Sequence, residues 1–133
     1  MSVVSNRLIK VLIVDDDRIL RRLMTKLIQD SWPIEIIEAE DGLEALTILL
    51  KHPPHLNVII LDLMMPLVNG IEVLKLIRSR PKFDRVPIMV CTVVNDVQQI
   101  KQIIKHGVDD YVVKPIDRVV FLRKFFRILR KIR

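Results

Sequence analysis

A chain of 133 residues suits one compact domain with a real core. Half of it is hydrophobic, yet charged residues break the apolar runs well short of the roughly 20 residues a membrane span needs. The N-terminal MSVVSNRLIK lacks the features of a secretory signal, and the single Cys91 excludes an internal disulfide or a paired thiolate site, so a cytoplasmic protein is expected. The net charge of +6 rests wholly on residues 116–133, where seven Lys and Arg face only Asp117. Such an excess serves a nucleic-acid or acidic-partner surface, but a final helix with a solvated basic face, or the start of a linker, is the plainer reading, and direct nucleic-acid binding is not expected.

In chain order, Ile9–Val14 reads as a buried strand running into Asp15, Asp16 and Asp17. A helix follows near 17–30, with Ile19, Leu20, Leu23, Met24, Leu27 and Ile28 on one face and Arg21, Arg22 and Lys26 opposite. Ile34–Ile37 and a helix at 42–51 come next, then Val58–Leu61 running into Asp62. Pro66 and Gly70 bracket a loop, and Gly70 starts a helix over 70–80. Pro87–Cys91 leads to Thr92, and a helix at 95–106 is capped by Asn95 and stopped at Gly107. Asp110–Val113 leads to Lys114-Pro115, and Asp117 caps a last helix over 116–131.

Five strand–helix pairs in strict alternation predict an α/β fold, a five-stranded parallel sheet doubly wound by five helices. The common order for such a flavodoxin-like sheet is 2-1-3-4-5, with ligands bound at the carboxyl ends of strands 1 and 3. Asp15, Asp16 and Asp62 then share one pocket, with Thr92 and Lys114 on its rim. Clustered carboxylates repel unless a cation compensates, and a hard divalent ion such as Mg²⁺ suits oxygen ligands. A carboxylate beside Mg²⁺, a lysine and a hydroxyl is a plausible nucleophile for phosphoryl transfer. Each group alone also reads as a strand or helix cap.

LIVDDD, EAEDGLEAL, LDLMMPLVNGIEVL, Thr92 and YVVKPID together resemble the receiver domain of two-component response regulators, chemotaxis regulators among them, over about residues 8–130 of a single domain, 1–133. The resemblance implies a signalling switch, not an enzyme beyond its own aspartyl phosphorylation and dephosphorylation. Asp62 would accept phosphate from a sensor histidine kinase or a histidine phosphotransfer protein. Asp15, Asp16 and Asp62 would hold Mg²⁺ with the Met64 main-chain carbonyl, and Lys114 would bind the phosphoryl group. Thr92 and Tyr111 would be the switch pair that remodels the helix 4–strand 5–helix 5 face, for a downstream partner, an effector domain or a homodimer. Tyr111 also reads as an ordinary half-buried tyrosine.

Three positions depart from the family pattern. Val93 stands where a small residue is usual, and its β-branched side chain would narrow access or restrain Thr92. Met64 and Val94 offer no polar group to orient water, which predicts slow loss of phosphate. A weakened receiver acting through protein contacts alone is one alternative. A phosphatase with an aspartyl intermediate is another, although Met64 stands where such enzymes place a second aspartate. Gly42, Gly70 and Gly107 form no nucleotide-binding motif, and His52, His55 and His106 lack metal-site spacing.

Overall fold

The structure is a computed structural model that describes residues 8–51 and 55–132, so the N-terminal segment, His52 and Arg133 lie outside the described residues. Five strands alternate with five helices: β1 (Ile9–Val14), α1 (Arg18–Ser31), β2 (Ile34–Ala39), α2 (Gly42–Lys51), β3 (Val58–Leu61), α3 (Gly70–Ser79), β4 (Ile88–Thr92), α4 (Val97–Lys105), β5 (Asp110–Val113) and α5 (Arg118–Leu129). A short 3-10 turn, Pro81–Phe83, links α3 to β4. All pairings are parallel and the sheet order is β2-β1-β3-β4-β5, as the alternation predicts. No helix among the described residues is long and apolar enough to cross a membrane.

The strands are apolar on both faces because each face carries a helical layer. Successive side chains point to opposite sides, so one face collects Leu12, Val14, Ile59, Leu61, Ile88 and Val90. These pack on Ala45 and Leu49 of α2, Val73, Leu74 and Ile77 of α3, and Ile103 of α4. The other face collects Val11, Ile13, Val58, Ile60, Met89, Cys91 and Val112 against Met24, Ile28, Phe121, Phe125 and Ile128 of α1 and α5. Burial pushes the Cys91 thiol up to about 12, so it behaves as a small apolar residue.

Chain reversal between β1 and β3 creates the functional geometry. β1 pairs with β2 on one side and β3 on the other, so the loops leaving β1 and β3 diverge to opposite faces and open a crevice.

Several local expectations shift. β2 runs on to Ala39, because Val14 pairs with it in register, and β4 occupies Ile88–Thr92. Asp96 caps α4 in place of Asn95, because its carboxylate accepts the Gln98 and Gln99 N–H groups at 2.8 and 3.2 Å. Asp17 and Asp117 cap α1 and α5, and His106 and Gly107, with φ 92°, end α4.

The faces of α1 differ from their expected assignment. Ile19 is 83 % exposed, whereas Arg21 is buried at 6 %. Arg21 lies in step with the buried Met24 and Ile28, and its guanidinium has buried acceptors, so the spacing prevails over polarity.

Phe125 is fully buried, 6.4 Å from the Phe121 ring and 5.7 Å from Trp32. Phe125→Ala is expected to destabilise the fold by about 3–5 kcal/mol, read from urea unfolding followed by Trp32 fluorescence. A loss below about 1 kcal/mol would show that α5 contributes little to the core.

An acidic site at the switch point

The site residues are held by backbone hydrogen bonds that continue the sheet ladder past the strand ends. Asp15 donates its N–H to the Ala39 carbonyl at 3.1 Å, Asp62 to Val14 at 2.9 Å, and Lys114 to Thr92 at 2.8 Å. Each side chain is therefore placed by its strand, and little depends on a loop. Gly70 permits the close return of the chain after Asp62: a Cβ there would overlap the Asp62 carbonyl and Leu63 Cα.

Asp15 and Asp62 are buried at 0 % and 2 % exposure, while Asp16 is exposed, and carboxylate oxygens of all three lie within 4.8 Å of one another. Lys114 reaches between the buried pair, its Nζ 2.8 Å from Asp15 Oδ2 and 3.0 Å from Asp62 Oδ2. Only the Asp62 contact is aligned as a hydrogen bond. Asp15 Oδ2 is ion-paired with the same ammonium in a less favourable alignment, so one lysine is shared between two buried carboxylates. The other oxygens are matched: Asp15 Oδ1 accepts the Asp17 N–H at 2.8 Å and Asp62 Oδ1 the Met64 N–H at 3.1 Å.

Burial raises the Asp15 carboxyl above its ordinary 3.8, against the opposing pull of Lys114 and the Asp17 N–H. Burial also works to lower Lys114, but its contacts with Asp15 and Asp62 outweigh that and hold the ammonium above its ordinary 10.5.

Two buried carboxylates that share one ammonium, with an exposed carboxylate within reach, form a hard-oxygen set suited to a small divalent cation. The residues present therefore fit Mg²⁺. The Met64 carbonyl accepts no hydrogen bond among the described residues, and the Met64 side chain is 58 % exposed.

Thr92 is 1 % exposed and its hydroxyl has no hydrogen-bond partner. It shares a narrow gap beneath α4 with Val90, Val94, Ile100, Ile103, Ile104 and Tyr111. Tyr111 stands opposite Val90 in the β4–β5 register and is half-buried. Lys124 holds it from α5, with Nζ 5.0 Å over the ring and 2.7 Å from its carbonyl oxygen. Val93 is 56 % exposed, so its branched side chain sits at the surface and not in the core.

Two residues of the site were not anticipated. Arg21 donates from Nη1 to the Asp15 carbonyl and from Nε to Glu38, each at 2.7 Å, and so ties α1 and β2 to the end of β1. The available signal was an arginine at the spacing of the buried stripe and an acid inside an apolar strand.

The model of the family described as response regulator receiver domain matches residues 11–125. The chain belongs to this family. It is 32 % identical over 132 residues to the chemotaxis protein CheY-3 of Vibrio cholerae, an alignment that covers 99 % of this chain and 100 % of that one. Among solved structures, Vibrio cholerae CheY4 superposes with a TM-score of 0.82 at 30 % identity, over 92 % of this chain and 99 % of that one. The phosphorylated cyanobacterial phytochrome response regulator RcpA superposes with a TM-score of 0.76 at 26 % identity, over 93 % and 90 %. Receiver domains are signalling switches that bind Mg²⁺ at an acidic pocket and work with kinases or phosphotransfer proteins and downstream targets; this chain has an acidic cluster of Asp15, Asp16 and Asp62 at its switch point.

The electrostatics predict a stability trade. A folded-state pKa raised above 3.8 means that ionised Asp15 opposes folding, a penalty absent below pH 3.8 and growing as pH rises through the folded value. Asp15→Asn is thus expected to stabilise the metal-free chain at pH 7, since Lys114 keeps Asp62 as a partner, and to lose this advantage in acid. In urea melts Mg²⁺ is expected to stabilise the parent and not this variant. An unchanged melt at pH 7 would mean that Lys114 fully compensates the buried charge.

Proposed function

We propose that Asp62 is the phosphoacceptor of a two-component signalling switch. The reading rests on one observation: Lys114 joins Asp62 to the Asp15 carboxylate at the sheet's switch point, with Asp16 within reach. In phosphoryl transfer from a phosphohistidine, an Asp62 oxygen attacks phosphorus in line. The P–N bond breaks as the P–O bond forms, and the electron pair leaves on the donor imidazole. Asp15, Asp16, Asp62 and the Met64 carbonyl would hold Mg²⁺, which would neutralise charge on the phosphoryl oxygens.

The chain's own groups do the rest. Lys114 is kept cationic by its carboxylate partners and turns from Asp62 toward the new phosphoryl group. The Met64 N–H orients the Asp62 carboxylate. The unpartnered Thr92 hydroxyl is a donor in waiting, and its movement toward the phosphoryl group opens the gap it shares with Tyr111. Inward movement of the tyrosine ring would take it away from Lys124 and alter the face made by α4, β5 and α5.

The partners are a sensor histidine kinase or a histidine phosphotransfer protein upstream, and a downstream protein, effector domain or second copy at the altered face. The chain works as a cytoplasmic receiver unit and catalyses its own phosphorylation and dephosphorylation.

Incubation with Mg²⁺ and acetyl phosphate is expected to add one phosphoryl group to the intact mass, and Asp62→Asn is expected to abolish the addition while keeping the fold. Labelling that persists in this variant would sink the assignment. The second expectation concerns lifetime. Met64 and Val94 line the same groove beside Leu63, and neither offers a base to water. Loss of phosphate is expected to be slow, and Met64→Gln to speed it; decay within seconds in the parent chain would contradict this.

A further inference from the structure

At the opposite end of the sheet from the acidic site lies a cavity of about 470 Å³, formed around the N-terminal ends of β3, β4 and β5. Its apolar part comes from Leu56, Phe83, Val86 and Ile132, the first three of them buried. Its basic residues are His55, Lys82, Arg85 and Lys131. Asp109 is the only acid in the lining among the described residues, and its charge is already matched: the carboxylate accepts the Ile88 N–H at 2.8 Å and faces Arg78 at 3.6 Å.

The Arg85 and Lys131 side chains, by contrast, make no ion pair or hydrogen bond among the described residues. Neither is needed at the end of α5, where the Ile128 and Leu129 carbonyls accept the Lys131 and Ile132 N–H groups at 3.0 and 3.1 Å. Asn57 uses its side-chain oxygen on the Lys10 N–H at 2.9 Å, and its amide N–H₂ is left as a further donor.

We propose that this cavity is a second ligand site, separate from the acidic pocket, and that it takes a small organic phosphate. Unmatched cations at its edge select a compact dianion, because charge-assisted hydrogen bonds to phosphate are stronger than neutral ones. The buried apolar part selects a ligand with a flat or apolar body beyond the phosphate, and the volume lies within the range of small-molecule sites. The location sets this site apart from the acidic pocket. Asn57 precedes β3, Pro87 precedes β4 and Asp109 precedes β5, while Asp62, Thr92 and Lys114 stand at the other ends of these same strands, roughly 16 Å away at 3.3 Å per residue.

The test is a titration of the ¹⁵N-labelled chain in Mg²⁺-free buffer with adenosine monophosphate, adenosine and inorganic phosphate, followed by amide shifts. Adenosine monophosphate is expected to shift Asn57, Arg85 and Lys131 saturably, and to bind more tightly than either fragment. The double variant Arg85→Gln, Lys131→Gln is expected to weaken binding by about tenfold or more, with its fold checked by Trp32 fluorescence. Asp62→Asn is expected to bind as the parent does, which separates this site from the proposed phosphorylation site. No shift at millimolar nucleotide, shifts confined to the acidic pocket, or an unweakened double variant each overturn the proposal. Adenosine binding as tightly as the nucleotide would overturn the phosphate assignment, and inorganic phosphate doing so would overturn the organic body.

Discussion

The contact on which the rest depends is the Lys114 ammonium set between two buried carboxylates, Asp15 and Asp62. Two like charges out of water would raise each other's pKa and push the strand ends apart. One lysine from a third strand offsets this, and it does so incompletely, since Asp15 Oδ2 keeps no aligned donor. The fold thus carries a strained electrostatic arrangement where its chemistry is proposed to occur.

Around this contact the molecule is conservative. Both sheet faces are covered, the strands are apolar throughout, and the residues of the site extend the backbone ladder by one step past β1, β3 and β5. A rigid platform therefore presents the carboxylates, while the parts able to move lie off to one side. Of α4 only Ile103 is buried, and beneath this helix is the gap shared by Thr92 and Tyr111. Few buried contacts mean low local stability, and a switch element is drawn from that end of the range. The Lys124 contact with the Tyr111 ring and carbonyl links the same region to α5.

The positive charge of the last segment also acquires structure. Lys124 pairs with Asp110 at 3.3 Å, and Arg127 stands 3.9 Å from the same acid with its side chain 60 % exposed. Arg130 lies over the Phe126 ring at 5.8 Å, and that ring stacks on Trp32 at 5.7 Å. Lys131 borders the cavity at the far end of the sheet. Four of the seven cations in this segment, Lys124, Arg127, Arg130 and Lys131, thus stand at an acidic contact on β5, an aromatic stack and a candidate ligand site.

Much of this was legible in the residues. Strand and helix periods, and the turn types between them, fixed the alternation, and the right-handed crossover rule then left one common sheet order. Asp15, Asp62, Thr92 and Lys114 could be placed at one end because a strand's last residue is readable from where its apolar run stops. Arg21 was placed on the wrong face, since polarity argued for solvent while only the folded chain supplies its acceptors, Glu38 and the Asp15 carbonyl. Ile19 was assigned to the core by spacing, but it lies in the first turn of α1, beyond the reach of the sheet. The sequence by itself determined the elements, their order and the residue types at the strand ends, because these follow from local period and backbone chirality. Only the tertiary structure decided which carboxylates share one lysine, which arginine is buried and which cations border a cavity, because those depend on distances between residues far apart in the chain.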